Sequence, residues 1–264
     1  MAADHLHPPT PRALERVDFV LVRPSHPGNV GACARAMRVM GLRGLSLVAP
    51  RQARVETHAD AIAFASNATD VLAHARTFPT LEAALADATL VIGVSAEARE
   101  FAPAPLAPEP AARAALAEID ANPAHRVAFV FGTERTGLSI DEAQRCQALC
   151  SIPGEPGYHS LNLSQAVQLI AYVLRSEALA RASIESTPVP ESYATQASIE
   201  ALFAHLERAL VAIGFLDPAH PKKLMPRLRR LLGRTRLEVE EVELLRGVCT
   251  EAERTAARAA QRAL

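Results

Sequence analysis

The sequence predicts an α/β domain built on a parallel sheet, followed by a small all-helical extension. Three observations carry that expectation. Short, continuously apolar runs with β-branched residues recur along the first part of the chain. Longer stretches of helical periodicity separate them, and beyond residue 182 only the helical periodicity continues. Parallel strands covered on both faces read as unbroken apolar runs, and strand–helix alternation marks this architecture.

Strands are expected at residues 17–22 (VDFVLV), 45–49 (LSLVA), 89–94 (TLVIGV) and 127–131 (VAFVF), with a further one at 148–152. Helices are expected at 29–40, around 57–75, at 81–86 and at 110–119. A long helix over 162–180 follows, with Leu163, Val167, Ile170 and Leu174 on one face and Asn162 placed to cap it. Residues 1–16 hold three prolines and few apolar groups and read as a flexible tail. The α/β domain spans 17–182, and 183–198, with Pro188, Pro190 and several hydroxyl residues, reads as a linker. The extension covers 199–264. It opens on a stripe of Ile199, Leu202, Phe203, Leu206, Leu210 and Ile213 that Gly214 ends; a basic helix and a charged helix from about Glu238 follow.

With 264 residues, 49% of them apolar, the chain can bury a substantial core. No run approaches the roughly 20 apolar residues of a membrane span. The first residues show neither the basic nor the apolar region of a signal peptide. Cys33, Cys146, Cys150 and Cys249 form no CxxC pair, so a cytoplasmic protein without a metal site is expected. A net charge of −1 argues against a surface that grips nucleic acid everywhere. Locally, residues 222–236 (KKLMPRLRRLLGRTR) carry seven basic residues and no acidic one. Leu224, Leu228, Leu231 and Leu232 follow helical spacing there. They would turn Lys223, Arg227, Arg230 and Arg234 outward as a strip that, with Lys222, suits a phosphate backbone; a merely solvated helix face is the plainer reading.

Ligands of a parallel α/β domain bind at the carboxyl ends of its strands, so the loops there are the place to look. The first loop, residues 23–35 (RPSHPGNVGACAR), is not a dinucleotide fingerprint. The loop GTERTGLS at 132–139 has the glycine spacing of a P-loop, but Leu138 stands where the phosphate-neutralising lysine belongs. It is not a nucleoside-triphosphate loop. A third loop, PGEPGYHSLNLS at 153–164, precedes the long helix.

Together these loops have another identity. Residues 19–42 (FVLVRPSHPGNVGACARAMRVMGL), 130–142 (VFGTERTGLSIDE) and 152–174 (IPGEPGYHSLNLSQAVQLIAYVL) resemble the three ordered motifs of the SPOUT RNA 2′-O-methyltransferases, specifically those of the TrmJ type. Residues 214–247 are similar to the helical extension of that subfamily. The resemblance implies a sheet whose C-terminal part is tied in a trefoil knot, a homodimer, and S-adenosyl-L-methionine as cofactor. The glycines of GTERTGLS would then let backbones approach one another and leave room for that cofactor. By motif match, the cofactor would be lined by Val94, Ser95, Ala96, Gly132, Ile152, His159, Ser160 and Leu161.

The activity implied is methylation of a ribose 2′-hydroxyl in tRNA, at cytidine or uridine of nucleotide 32 in the anticodon loop. Arg35 matches the arginine of the first motif. Because a guanidinium holds its proton too firmly to act as a base, Arg35 is expected to hold a substrate phosphate and orient the ribose. Asn29 caps its helix or reaches the ribose. Ser160 is the candidate for touching the methyl group or the hydroxyl. Glu134 anchors the knot or faces the substrate, Gly137 belongs to the loop's backbone, Asn162 is an N-cap, and His159 is a pocket wall. One departure stands out: the subfamily tends to carry arginine where SAEAR has Glu97, leaving Arg99 as the RNA contact in that loop. Methylation of ribosomal RNA, a non-catalytic RNA-binding module and a base-modifying SPOUT enzyme are the alternatives.

Overall fold

The computed structural model describes residues 9–96, 103–158, 160–181 and 193–262. A 3-10 turn over Arg12–Arg16 leads into β1 (Val17–Val22), α1 (Pro27–Val39) and β2 (Gly44–Val48). The short elements α2 (Ala59–Ala65), α3 (Thr69–Ala73), β3 (Arg76–Phe78) and α4 (Leu81–Leu85) come next. They are followed by β4 (Leu90–Val94), β5 (Pro105–Leu106), α5 (Pro108–Ala121), β6 (Val127–Phe131), α6 (Ile140–Gln144), β7 (Ala148–Cys150) and α7 (Leu163–Arg181). Three more helices, α8 (Gln196–Ala212), α9 (Leu224–Leu232) and α10 (Val239–Arg262), complete the described chain.

The seven strands form one sheet in the order β3-β2-β1-β6-β4-β7-β5, and every pair is parallel. The apolar runs occupy its middle. Along β1, Phe19 and Leu21 join the core beneath α1, α5 and α7, while Val20 and Val22 join a second core on the opposite face. Phe19 meets Phe129 and Phe131 at ring-centroid distances of 5.7 and 5.2 Å. Both faces are covered, which explains runs with no polar alternation.

The structure corrects the expected boundaries in several places. Residues 12–16 are not tail: Leu14 is fully buried, and the Arg16 guanidinium donates to the carbonyls of Ile119 and Asn122, both at 2.8 Å. Of the linker, 183–192 lies outside the described residues, while Gln196 already opens α8 because the Thr195 hydroxyl accepts from the Ser198 amide and caps it. On α9, Leu231 faces solvent, and Arg229 turns inward instead.

The two ends of the sheet have different neighbours. Loops after β1, β4, β6 and β7 gather at the carboxyl ends of the strands. The helical extension docks at the amino ends: the amides of Gln196 and Ala197 donate to the carbonyls of Ala88 and Ala86, just ahead of β4. Arg229 makes a two-pronged ion pair with Glu200 at 2.8 and 2.7 Å and lies over the Phe203 ring. Arg236 pairs with the buried Glu118 and lies over Tyr193, beside His125 at the foot of β6.

Candidate cofactor and substrate cleft

At the carboxyl ends of β4, β6 and β7 the loops enclose a cleft of about 430 Å³. Val94, Ser95 and Ala96 form one wall, the hairpin from Gly132 to Gly137 a second, and Ile152, Ser160 and Leu161 a third. The expected pocket residues thus converge on one cavity, apart from His159, which lies outside the described residues. The Ser95 amide donates to the Cys150 carbonyl at 2.9 Å and holds the ends of β4 and β7 together.

The glycines of GTERTGLS close a hairpin. Thr133 and Gly137 exchange backbone hydrogen bonds at 3.2 and 3.0 Å, and the Thr133 hydroxyl accepts from the Thr136 amide at 3.2 Å. Gly132 sits so close to the returning strand that a Cβ would lie 2.0 Å from the Gly137 carbonyl carbon. Gly137 itself has φ +62°, the left-handed region that glycine enters without strain. Leu138, at the P-loop lysine position, is fully buried in the second core.

Glu134 borders the cleft and ties this hairpin to the loop after β1. One carboxylate oxygen accepts from the Ser25 amide at 3.1 Å, the His26 amide at 3.3 Å and the Asn29 side-chain amide at 3.2 Å. The other accepts from the Ser25 hydroxyl at 2.9 Å. Burial would raise the Glu134 pKa, but hydrogen bonds from its own amide, Asn29 and Ser25 outweigh it and hold the carboxyl below its ordinary value. Asn29 in turn accepts from the Asn162 side chain at 3.1 Å. Asn162 accepts from the amide and hydroxyl of Ser164, the capping arrangement at the head of α7.

Asn29 does not cap its helix. Pro27 starts α1 behind His26, so Asn29 lies inside the first turn with its side chain free to bridge Glu134 and Asn162. Arg35 is exposed farther along α1, outside the cleft lining and without an acidic partner among the described residues. Lys222, Lys223, Arg227, Arg230 and Arg234 are all exposed, and Arg230 and Arg234 lie beside Leu90, at the amino end of β4 and away from the cleft. Arg99 lies outside the described residues. The four cysteines are free and buried, and desolvation pushes the Cys146 and Cys150 thiols up to about 12, so they are not nucleophiles.

The sequence reading missed Ser25, which supplies two donors to Glu134, and Arg135 at the hairpin tip. The signal for Arg135 was present, since it is the one basic residue between the two glycines.

Comparison with known proteins places this arrangement. The model of the SpoU rRNA Methylase family matches residues 16–172, more than half of the chain. The chain belongs to the SpoU methylase family. In this SpoU methylase a second model, the C-terminal domain of the tRNA methyltransferase TrmJ, matches residues 197–262. It is 44% identical over 251 residues to the tRNA (cytidine/uridine/adenosine-2′-O-)-methyltransferase TrmJ of Pseudomonas aeruginosa, covering 92% of this chain and 96% of that one. It is 41% identical over 244 residues to the tRNA (cytidine/uridine-2′-O-)-methyltransferase TrmJ of Yersinia enterocolitica, covering 91% and 93%. The crystal structure of TrmJ from Z. mobilis superposes with a TM-score of 0.77 at 33% identity, over 89% of this chain and 98% of that one.

Proposed function

We propose that this SpoU methylase transfers a methyl group from S-adenosyl-L-methionine to a ribose 2′-hydroxyl of tRNA. The observation that carries the reading is the hydrogen-bonded joint of Glu134, Asn29 and Asn162 beside the cleft, built from all three motif loops. The TrmJ-type extension behind it favours tRNA over ribosomal RNA.

The cleft fits the cofactor. Its volume lies in the about 300–1,000 Å³ range of small-molecule sites, Gly132 leaves its floor without a side chain, and Val94, Ile152 and Leu161 supply apolar walls. These residues, with Ser95, Ala96 and Ser160, would hold it. When bound, the cofactor would supply the ribose oxygen with a methyl group from a positive sulfur, leaving a neutral thioether, with the hydroxyl proton released to water. The chain's own contribution is position and proton management. Ser160 orients the hydroxyl within the cleft. Asn29, fixed at both ends of its side chain, holds the loops that frame the ribose. Arg35 lies about 9 Å farther along the helix than Asn29, by the rise of six residues, which suits a flanking phosphate better than the hydroxyl proton.

The same reading includes a trefoil knot through the loops that end in α7 and a cytoplasmic homodimer. Tyr172 and Leu169 on α7, with Phe64 and Ile62 on α2, leave apolar side chains exposed, which supports burial against a second copy. The domain division is an α/β methyltransferase unit that begins at the turn over Arg12–Arg16 and runs to α7, and an RNA-binding helical unit that begins at α8. The target is nucleotide 32, at cytidine or uridine. The test is transfer of labelled methyl from S-adenosylmethionine to unmodified tRNA, mapped by nuclease digestion and mass spectrometry. A 2′-O-methylated anticodon-loop nucleotide is expected. Label appearing only in ribosomal RNA would replace the substrate, and cofactor binding without transfer to any RNA would end the enzymatic reading.

A further inference from the structure

We infer that Arg135 grips a backbone phosphate of the RNA at the mouth of the cleft, next to the ribose that receives the methyl group. The inference rests on the methyl-transfer reading above and adds a substrate contact to it.

Arg135 occupies the tip of the hairpin whose feet, Thr133 and Gly137, are joined by two backbone hydrogen bonds. The hydroxyls of Thr133 and Thr136 meet at 2.8 Å across the turn. Glu134, one residue earlier, fastens the whole hairpin to Ser25 and Asn29. The backbone beneath Arg135 is therefore held from two sides, and its side chain projects from a rigid platform.

The guanidinium is exposed and has no acidic partner among the described residues. Glu134 also borders the cleft, but both of its carboxylate oxygens already accept from Ser25, His26 and Asn29. Arg23, at the end of β1, is already paired with Glu142 at 2.6 Å. Among the described residues that line the cleft, Arg135 is the one basic side chain. On the extension, the exposed Arg230 and Arg234 lie instead beside Leu90, at the amino end of β4. An unpaired charge on a fixed support, beside a cavity for a reacting pair, is placed for an anion.

The sign of the ligands decides which anion. The cofactor carries a sulfonium, an ammonium and one carboxylate, a net positive charge that a nearby guanidinium repels. An RNA phosphate is a net anion whose oxygens match the guanidinium fork. Ribose and phosphate are also joined by a few bonds, so a cation at the rim fixes the 2′-hydroxyl relative to the cleft. Arg135 is thus a substrate-binding residue that holds phosphate and takes no part in moving the proton.

The test compares the full-length protein with Arg135→Ala and Arg135→Lys. Cofactor affinity is measured by calorimetry, tRNA affinity is measured across a salt series, and kcat and KM for both substrates come from methyl transfer. For Arg135→Ala the expected outcome is unchanged cofactor affinity, a KM for tRNA raised about tenfold, and a log K against log salt slope shallower by about 0.7–0.9, one phosphate contact. Arg135→Lys should regain the slope but not the full affinity, because an ammonium lacks the fork. Loss of cofactor affinity with an unchanged slope would overturn the proposal in favour of the cofactor carboxylate. No change in either would leave Arg135 a solvated rim residue, which overturns it too. If the unmodified protein transfers no methyl to any RNA, the functional reading itself falls; if it transfers methyl and Arg135→Ala keeps its slope, only this proposal does.

Discussion

The side-chain amide of Asn29 donates to Glu134 at 3.2 Å, and through that bond the first turn of α1 is fastened to the hairpin after β6. Between them lie more than a hundred residues of chain, so the bond joins segments that local structure does not hold together. Because Asn29 also accepts from Asn162, removing either partner leaves loops that frame the cleft unsecured.

Glu134→Gln should therefore lower stability by about 1–3 kcal/mol, since its NH₂ group would face the amides that now donate to a carboxylate. Cofactor affinity should fall with it, because the hairpin forms a cleft wall. The pH dependence has a definite sign. The folded pKa of Glu134 lies below its ordinary value of 4.5, so its stabilisation is complete above that value and is lost as pH falls toward the folded pKa. Denaturation of the Gln variant and the original protein between neutral pH and pH 3 should converge at the acid end. Curves that stay parallel would show that the carboxylate is not the source.

Gly132→Ala and Gly137→Ala should differ in severity. A Cβ on Gly132 would meet backbone at 2.0 Å, and backbone cannot swing aside, so a loss of about 3 kcal/mol or more is expected. Alanine at Gly137 meets the cost of a left-handed residue, about 1–2 kcal/mol. Chemical denaturation of both variants checks the order; equal losses would mean that the close approach at Gly132 relaxes.

How much of this was legible follows from burial. β1, β4 and β6 read as strands because both faces are covered and their apolar runs are unbroken. β3, with the sequence RTF, and β5, with PL, carry too few buried residues to leave a pattern at the sheet edges. The pocket residues were legible only jointly, from three loops far apart in the chain. Asn29 looked like a helix cap because asparagine favours that place, but Pro27 had already set the helix start. On α9 the outward strip was readable, yet Arg229 was not. Whether an arginine on that helix turns inward depends on Glu200 and Phe203 of another helix.

The ion pairs beneath the extension lead to a third prediction. Glu118 is fully buried and serves Arg236 and His125, so Glu118→Ala strands a partly buried cation and should cost about 3–5 kcal/mol. Glu200 is partly exposed where Glu118 is not, and Arg145 keeps Glu82 as a partner, so Glu200→Ala should cost less. Both should raise hydrogen exchange across α8 and α9. Exchange rising equally in β1 and β6 would mean that the sheet and the extension unfold as one unit.

The extension docks at the amino ends of the strands and the cleft opens at the carboxyl ends, so RNA binding and cofactor binding should be separable. The strip Lys222, Lys223, Arg227, Arg230 and Arg234 is exposed, and Arg230 and Arg234 have no acidic partner among the described residues. Reversing those two charges with Arg230→Glu and Arg234→Glu removes two phosphate contacts and adds repulsion. The slope of log K against log salt for tRNA should become shallower by about 1.4–1.8, and KM for tRNA should rise. Cofactor affinity should not move, because the altered side chains lie a strand length away from Val94 and Gly132. Unchanged tRNA affinity would reduce the strip to a solvated face. A loss of cofactor affinity would show that the double variant disturbs the sheet through Arg229 and its neighbours, and a single substitution at Lys222, outside the helix that carries Arg229, would then give the cleaner measure of the charge effect.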